Sequence, residues 1–172
     1  DEENKLFVCG YNPEGRADDT VLIARITNAA GKMCGTLVNY ACHPTTLAWK
    51  NRLISPDYPG AMRETIEGAT SGAPCIFLQG ASGELGPLEG YVGDVAVADR
   101  NGRQLGHAAL SALQGLAPPL TRFEYQGPVI SGATLGDWRH KPVSAQRETE
   151  ICTWQRNNEV LTIPYRPDLP TR

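Results

Sequence analysis

Two short stretches hold residue types that could do chemistry. The first is residues 37–60, LVNYACHPTTLAWKNRLISPDYPG. An apolar run ends at His43-Pro44. Proline keeps its predecessor extended and cannot donate to a ladder, so His43 falls at the end of a strand. A neutral imidazole in that position can ligate zinc or take part in hydrolysis. Asp57 lies one loop further on, in Ile54-Ser55-Pro56-Asp57. It can serve a site on the same rigid edge, or cap the helix expected after Pro56. The second stretch is the loop after the apolar run CIFL: Gly80-Ala81-Ser82-Gly83-Glu84-Leu85-Gly86. Its G-x-x-G-x-x-G spacing, following a strand, is that of a dinucleotide-binding turn. Pro87, Gly90 and Gly93 then occupy the place where such a turn needs a helix to begin. No Tyr-x-x-x-Lys follows, which leaves NAD(P) binding as the weakest of the functional readings.

Neither of the other two histidines has ligand spacing. His107 sits within a helical pattern and His140 in a polar loop, Trp138-Arg139-His140-Lys141; neither has a partner like that of His-Glu-x-x-His. The five cysteines, Cys9, Cys34, Cys42, Cys75 and Cys152, contain no C-x-x-C pair, which argues against a cysteine zinc knuckle. Four of them lie in apolar runs, where a thiol behaves as a small hydrophobe. Trp49, Trp138 and Trp154 are expected to pack rather than to form a sugar platform.

Alternating and helical patterns supply the elements around these residues. Residues 5–11 read as a strand. Residues 20–27 and 33–42 read as an antiparallel hairpin, turning at Asn28-Ala29-Ala30-Gly31-Lys32. On the second strand Leu37, Asn39, Ala41 and His43 share one face, and Val38, Tyr40 and Cys42 the other. Residues 58–67 suit a helix with Pro59 in its first turn and Met62 and Ile66 inward. Residues 75–78 are wholly apolar, as in a strand covered on both faces. Residues 79–93 are loop. Residues 94–116 form the longest helix, with Val97, Leu105, Ala108, Ala109 and Leu113 toward the core and Asn101-Gly102 as its weak point. Strands over 120–125, 129–135 and 159–165 and a helix over 145–153 complete the reading. The expected architecture is α/β: a mixed sheet flanked by helices, with an early antiparallel hairpin, as one domain or a segment of a larger one.

Composition narrows the function classes. The chain has 172 residues and a net charge of −3, which gives no electrostatic case for nucleic acid or an anionic membrane. No apolar run approaches the roughly 18 residues that span a bilayer. The chain opens at Asp1 and reads as a mature form or an excised segment, so nothing about secretion follows from the lack of a leader.

The motifs add a resemblance. Asn39-Tyr40-Ala41-Cys42-His43-Pro44-Thr45-Thr46-Leu47, followed by Leu53-Ile54-Ser55-Pro56-Asp57-Tyr58-Pro59-Gly60, resembles the neutral/alkaline, non-lysosomal ceramidase family. That family has Asn…His-x-Thr at a strand end, then Ile-Ser-x-Asp-x-x-Gly before a helix, then Asn-x-Gly-Asp-x-Ser-Pro after a short apolar strand. Ala81-Ser82-Gly83-Glu84-Leu85-Gly86-Pro87 stands at the place of the last motif, and the likeness extends over residues 20–116. The resemblance implies a zinc-dependent hydrolase of an amide bond acting on a small-molecule or lipid amide, in a secreted or periplasmic setting. It implies zinc as cofactor, His43 as one metal ligand, and Thr45 and Asp57 beside the substrate. The family's other ligands fall outside this chain, so the remainder of a parent chain is an implied partner. Its serine nucleophile falls on Gly86, its aspartate on Glu84 and its asparagine on Ala81. Ser82 lies four positions before the serine's place. Without that serine an acyl-enzyme route lacks its nucleophile. A water activated by zinc, with Glu84 as general base, is then the expected route. This segment alone is expected to bind zinc weakly and to be inert. The alternative is a non-catalytic scaffold in which His43 and Asp57 only satisfy backbone groups.

Overall fold

The computed structural model describes residues 1–8 and 10–146. The chain divides into two compact units, Asp1–Pro119 and Leu120–Arg172.

In the first unit, β1 (Leu22–Thr27) and β2 (Met33–Tyr40) form the expected antiparallel hairpin. Gly31 takes a φ of 76° in its turn, and the Asn28 side chain accepts from the amides of Ala30 and Lys32, each at 3.0 Å. β3 (Cys75–Gln79) joins β2 in parallel, from Thr36 opposite Cys75 to Tyr40 opposite Gln79. Parallel neighbours need a crossover, which α1 (Tyr58–Ala69) supplies. The sheet order is β1-β2-β3, and α2 (Val95–Gln114) packs beside α1. The core lies between helices and sheet. It is built on Val38, Tyr58, Met62, Ile66, Cys75, Leu105 and Ala109, with Ile23, Tyr40 and Phe77 against it.

Among the described residues, helices cover one face of the sheet. Leu22, Ile26, Ile76 and Leu78 on the other face are 58%, 43%, 53% and 47% exposed. The expectation that residues 75–78 are covered on both faces is therefore corrected. An unbroken apolar run is compatible with either situation, because it does not say how many layers pack on it.

The expected weak point of the long helix is where the two helices meet. A Cβ on Gly102 would run into the Tyr58 carbonyl oxygen and lie 2.8 Å from the Ala61 Cβ; one on Gly106 would lie 2.8 Å from the Thr65 Cβ. The absent side chains let the backbones approach, and α2 passes through unbroken. Ala108, expected in the core, is exposed and lines the cavity between α2 and Tyr40, Cys42 and Tyr58. The expected strand over 5–11 is also not formed at its described residues. Leu6, Phe7 and Val8 are 60%, 109% and 63% exposed, and the Leu6 amide turns back to the Asp1 carbonyl.

The second unit is a hairpin of β4 (Thr121–Ser131) and β5 (Ala133–Pro142), turning at Gly132 with φ 76°. A bulge between Tyr125 and Gly127 carries β4 past the point where a break was expected. The expected strand 129–135 thus spans the turn. His140 lies on β5, not in a loop, with its ring 4.9 Å from that of Phe123. The expected helix over 145–153 extends beyond the described residues. The strand over 159–165, with Cys152 and Trp154, lies outside them. No helix among the described residues is long and apolar enough to cross a membrane.

Candidate functional site

The adjacent parallel strands β2 and β3 end together, at Tyr40 and Gln79. Loops leaving the carboxyl ends of parallel strands converge, and here they are tied by backbone hydrogen bonds. The Gly80 amide donates to the Tyr40 carbonyl at 3.0 Å and the His43 amide to the Leu85 carbonyl at 2.8 Å. Further out, Tyr91 and Val92 donate to the Thr45 and Thr46 carbonyls at 2.8 and 2.9 Å. A Cβ on Gly80 would come within 3.1 Å of the Ala41 Cα, so glycine suits this crossing. The rings of Trp49 and Tyr91 stack at 5.9 Å over the outer end.

Asp57 anchors the first loop to α1. It is buried, and its Oδ2 accepts from the Leu47 amide at 2.9 Å while Oδ1 accepts from the Tyr58 amide at 2.7 Å. Its φ is 56°, a conformation that most L residues avoid. The Tyr58 hydroxyl donates to the Cys42 carbonyl. Burial raises the Tyr58 phenol far above its ordinary range. Burial also pushes the Cys42 thiol up, against a smaller opposing effect of the Tyr58 hydroxyl. Burial thus favours the neutral thiol at Cys42.

His43 is exposed at the rim. Its Nδ1 lies 3.2 Å from the Gln79 Nε2, which is also 2.5 Å from the Ser82 Oγ. Ser82 is only 5% exposed, so the amide is gripped from the protein side. The His43 Nε2 has no hydrogen-bond partner among the described residues. The two loops therefore bring together His43, Gln79 and Ser82. They do not join Glu84 to His43. Glu84 is exposed and lines a hollow of about 420 Å³ with Arg16, Asp18 and Leu85. A larger cavity of about 450 Å³ lies against α2, lined by Tyr40, Cys42, Tyr58, Gly86, Leu88 and Gln104 among others; His43 lines neither. The buried Thr45 Oγ1 has no hydrogen-bond partner among the described residues, and a Cβ on Gly86 would stand 3.6 Å from it.

Gln79 is the site residue that sequence reasoning missed. Its available signal was a polar residue ending the apolar run CIFL, immediately before the glycine loop.

No group of three or more His, Cys, Asp or Glu side chains able to hold a metal occurs among the described residues. His43, an exposed imidazole with one nitrogen beside an amide and the other without a partner among the described residues, is at most one ligand of a metal site. The glycine loop does not open a helix, since residues 80–94 separate β3 from α2.

One solved structure has a similar part. It is the neutral ceramidase from Pseudomonas aeruginosa, at 22% identity and a TM-score of 0.43, with 61% of this chain covered. The match takes in 19% of the ceramidase chain, so this chain spans less than a fifth of that length. No family model matches the chain, and no curated protein matches it.

Proposed function

We propose that this chain is the histidine-bearing part of a zinc-dependent amide hydrolase of the ceramidase type. The observation that carries this reading is the exposed His43, three residues beyond the end of β2, with Nδ1 3.2 Å from the Gln79 amide and no hydrogen-bond partner for Nε2 among the described residues. The motif resemblance around His43, Asp57 and Gly83 supplies the reaction class. His43 is the one ligand that this segment contributes, and the others come from the remainder of a parent chain. When bound, zinc polarises a carbonyl and lowers the pKa of water. Asp57 holds the His43 loop against α1 and, with Thr45, borders the place of a small-molecule or lipid amide. Glu84 is the general base, with Ser82 close by in the same loop. Glu84 lines a hollow that His43 does not line, so for this role it has to come within hydrogen-bond reach of the water at the metal. A secreted or periplasmic setting belongs to the same reading.

The scaffold reading has its own support: both Asp57 oxygens are engaged by backbone amides, and position 86 carries no hydroxyl. Zinc titration of the ¹⁵N-labelled chain separates the two. The enzyme reading expects weak zinc binding that perturbs the His43 ring and vanishes in His43→Ala, with no turnover of N-acyl substrates by this segment. A His43 ring unmoved by zinc, or turnover that survives His43→Ala, overturns it.

A further inference from the structure

We infer that Gln79 is the positioning residue of His43: its amide, gripped by the Ser82 hydroxyl, couples the place of the proton on the His43 ring to its own orientation. The importance of this coupling rests on the proposed ligand role of His43, but the coupling itself is a property of three side chains already in contact. The end of the Gln79 side chain is 3.2 Å from the His43 Nδ1 and 2.5 Å from the Ser82 Oγ. A primary amide has one end that only donates and one that only accepts, whereas a hydroxyl does both.

Two arrangements satisfy all three groups. With Nε2 inward, the amide donates one hydrogen to Nδ1 and the other to the Ser82 Oγ. The ring proton is then on the His43 Nε2, and that nitrogen has no lone pair for a metal. With Oε1 inward, the amide oxygen accepts from the His43 Nδ1–H and from the Ser82 O–H. The His43 Nε2 then presents its lone pair to solvent. A half-turn of the amide therefore exchanges a closed imidazole for an open one, and the Ser82 hydroxyl reorients with it. Metal-bound histidines donate their second N–H to such a partner, so zinc selects the arrangement with Oε1 inward. This assigns Ser82 a place behind the amide rather than at the reacting bond.

The test reads the tautomer of His43 by long-range ¹H–¹⁵N correlation in the metal-free, fully folded chain under mildly alkaline conditions. His107, exposed on α2, is the internal reference. Gln79→Glu leaves only acceptors facing Nδ1 and is expected to move His43 to the Nδ1–H form. Gln79→Leu removes the partner and is expected to bring the His43 tautomer ratio to that of His107. Ser82→Ala is expected to shift the ratio partway in the same direction as Gln79→Leu. Gln79 is exposed at the end of β3, so these variants are expected to fold, which circular dichroism checks. With zinc added, Gln79→Leu is expected to weaken occupancy of His43 by about 10–100-fold, and Gln79→Glu to restore it. A tautomer ratio that is the same in the original chain, Gln79→Glu and Gln79→Leu overturns the inference, even if zinc binds at His43. A ratio that follows residue 79 while zinc leaves His43 untouched upholds the inference and removes the ligand role instead.

Discussion

Gly102→Ala tests the helix contact that supports the site, because two physical effects there predict opposite signs. In an exposed helix interior, alanine is more favourable than glycine by about 1 kcal/mol. At position 102 the added methyl would meet the Tyr58 carbonyl, the Ala61 Cβ at 2.8 Å and the Met62 amide nitrogen at 2.9 Å. Two of these atoms are backbone, so no rotamer change relieves the clash. Overpacking a dense contact costs about 1–3 kcal/mol, and rigid neighbours favour the upper end. Subtracting the helix gain leaves a net loss of about 2 kcal/mol. For a chain of this size, that corresponds to a fall in Tm of roughly 4–8 °C. Thermal unfolding followed by circular dichroism measures it. Gly68→Ala is the control: Gly68 lies on α1 with nothing within 4 Å of an added Cβ, so its Tm is expected to rise. If Gly102→Ala also raises Tm, the close approach of α1 and α2 is wrong. The placement of Asp57 and Tyr58 at the start of α1 would then lose its support.

Asp57→Ala removes a cap worth about 1 kcal/mol. It also leaves the Leu47 amide unpaired at about 1–3 kcal/mol. Urea unfolding should show a loss of about 2–4 kcal/mol, smaller in Asp57→Gly because glycine accepts a φ of 56° without strain. Burial raises the pKa values of Cys42, Cys75, Tyr40 and Tyr58 in the folded chain. Their contribution to stability is therefore complete below the unfolded thiol pKa of about 8.5 and falls as pH rises above it, with the phenols adding to the loss from about pH 10. Denaturant midpoints across alkaline pH check this, and Tyr58→Phe should flatten the upper part. Peptide mapping after brief alkylation should find Cys34, which is exposed, modified before Cys42 and Cys75. Gly86→Ser is expected to leave the unfolding free energy unchanged within about 0.5 kcal/mol in urea titration, because its Cβ would stand 3.6 Å from the Thr45 Oγ1, an ordinary contact.

What could be read from the sequence was what local chemistry determines. Pro59 and Asp57 mark the start of α1, and Asn28 and Gly31 mark the hairpin turn, whereas β2 stops at Tyr40, before Pro44 could end it. Each of these acts over a few residues. The features that were misread depend on partners distant along the chain. Gly102 looked like a weakness in α2 because glycine lowers helix propensity, but its neighbours are Tyr58, Ala61 and Met62 on another helix. The run from Cys75 to Leu78 looked buried on both sides, although helices cover one side alone. Gln79 went unnoticed because its partner His43 is 36 positions away and meets it only through the parallel pairing of Tyr40 with Gln79. That pairing also indicates where to look. When two parallel strands end side by side and one leads into a histidine, a polar residue closing the other is the nearest side chain able to fix the imidazole. A wholly apolar β3 would have left the His43 ring without that restraint, so the single polar residue ending β3 matters more to the site than the glycines that follow it.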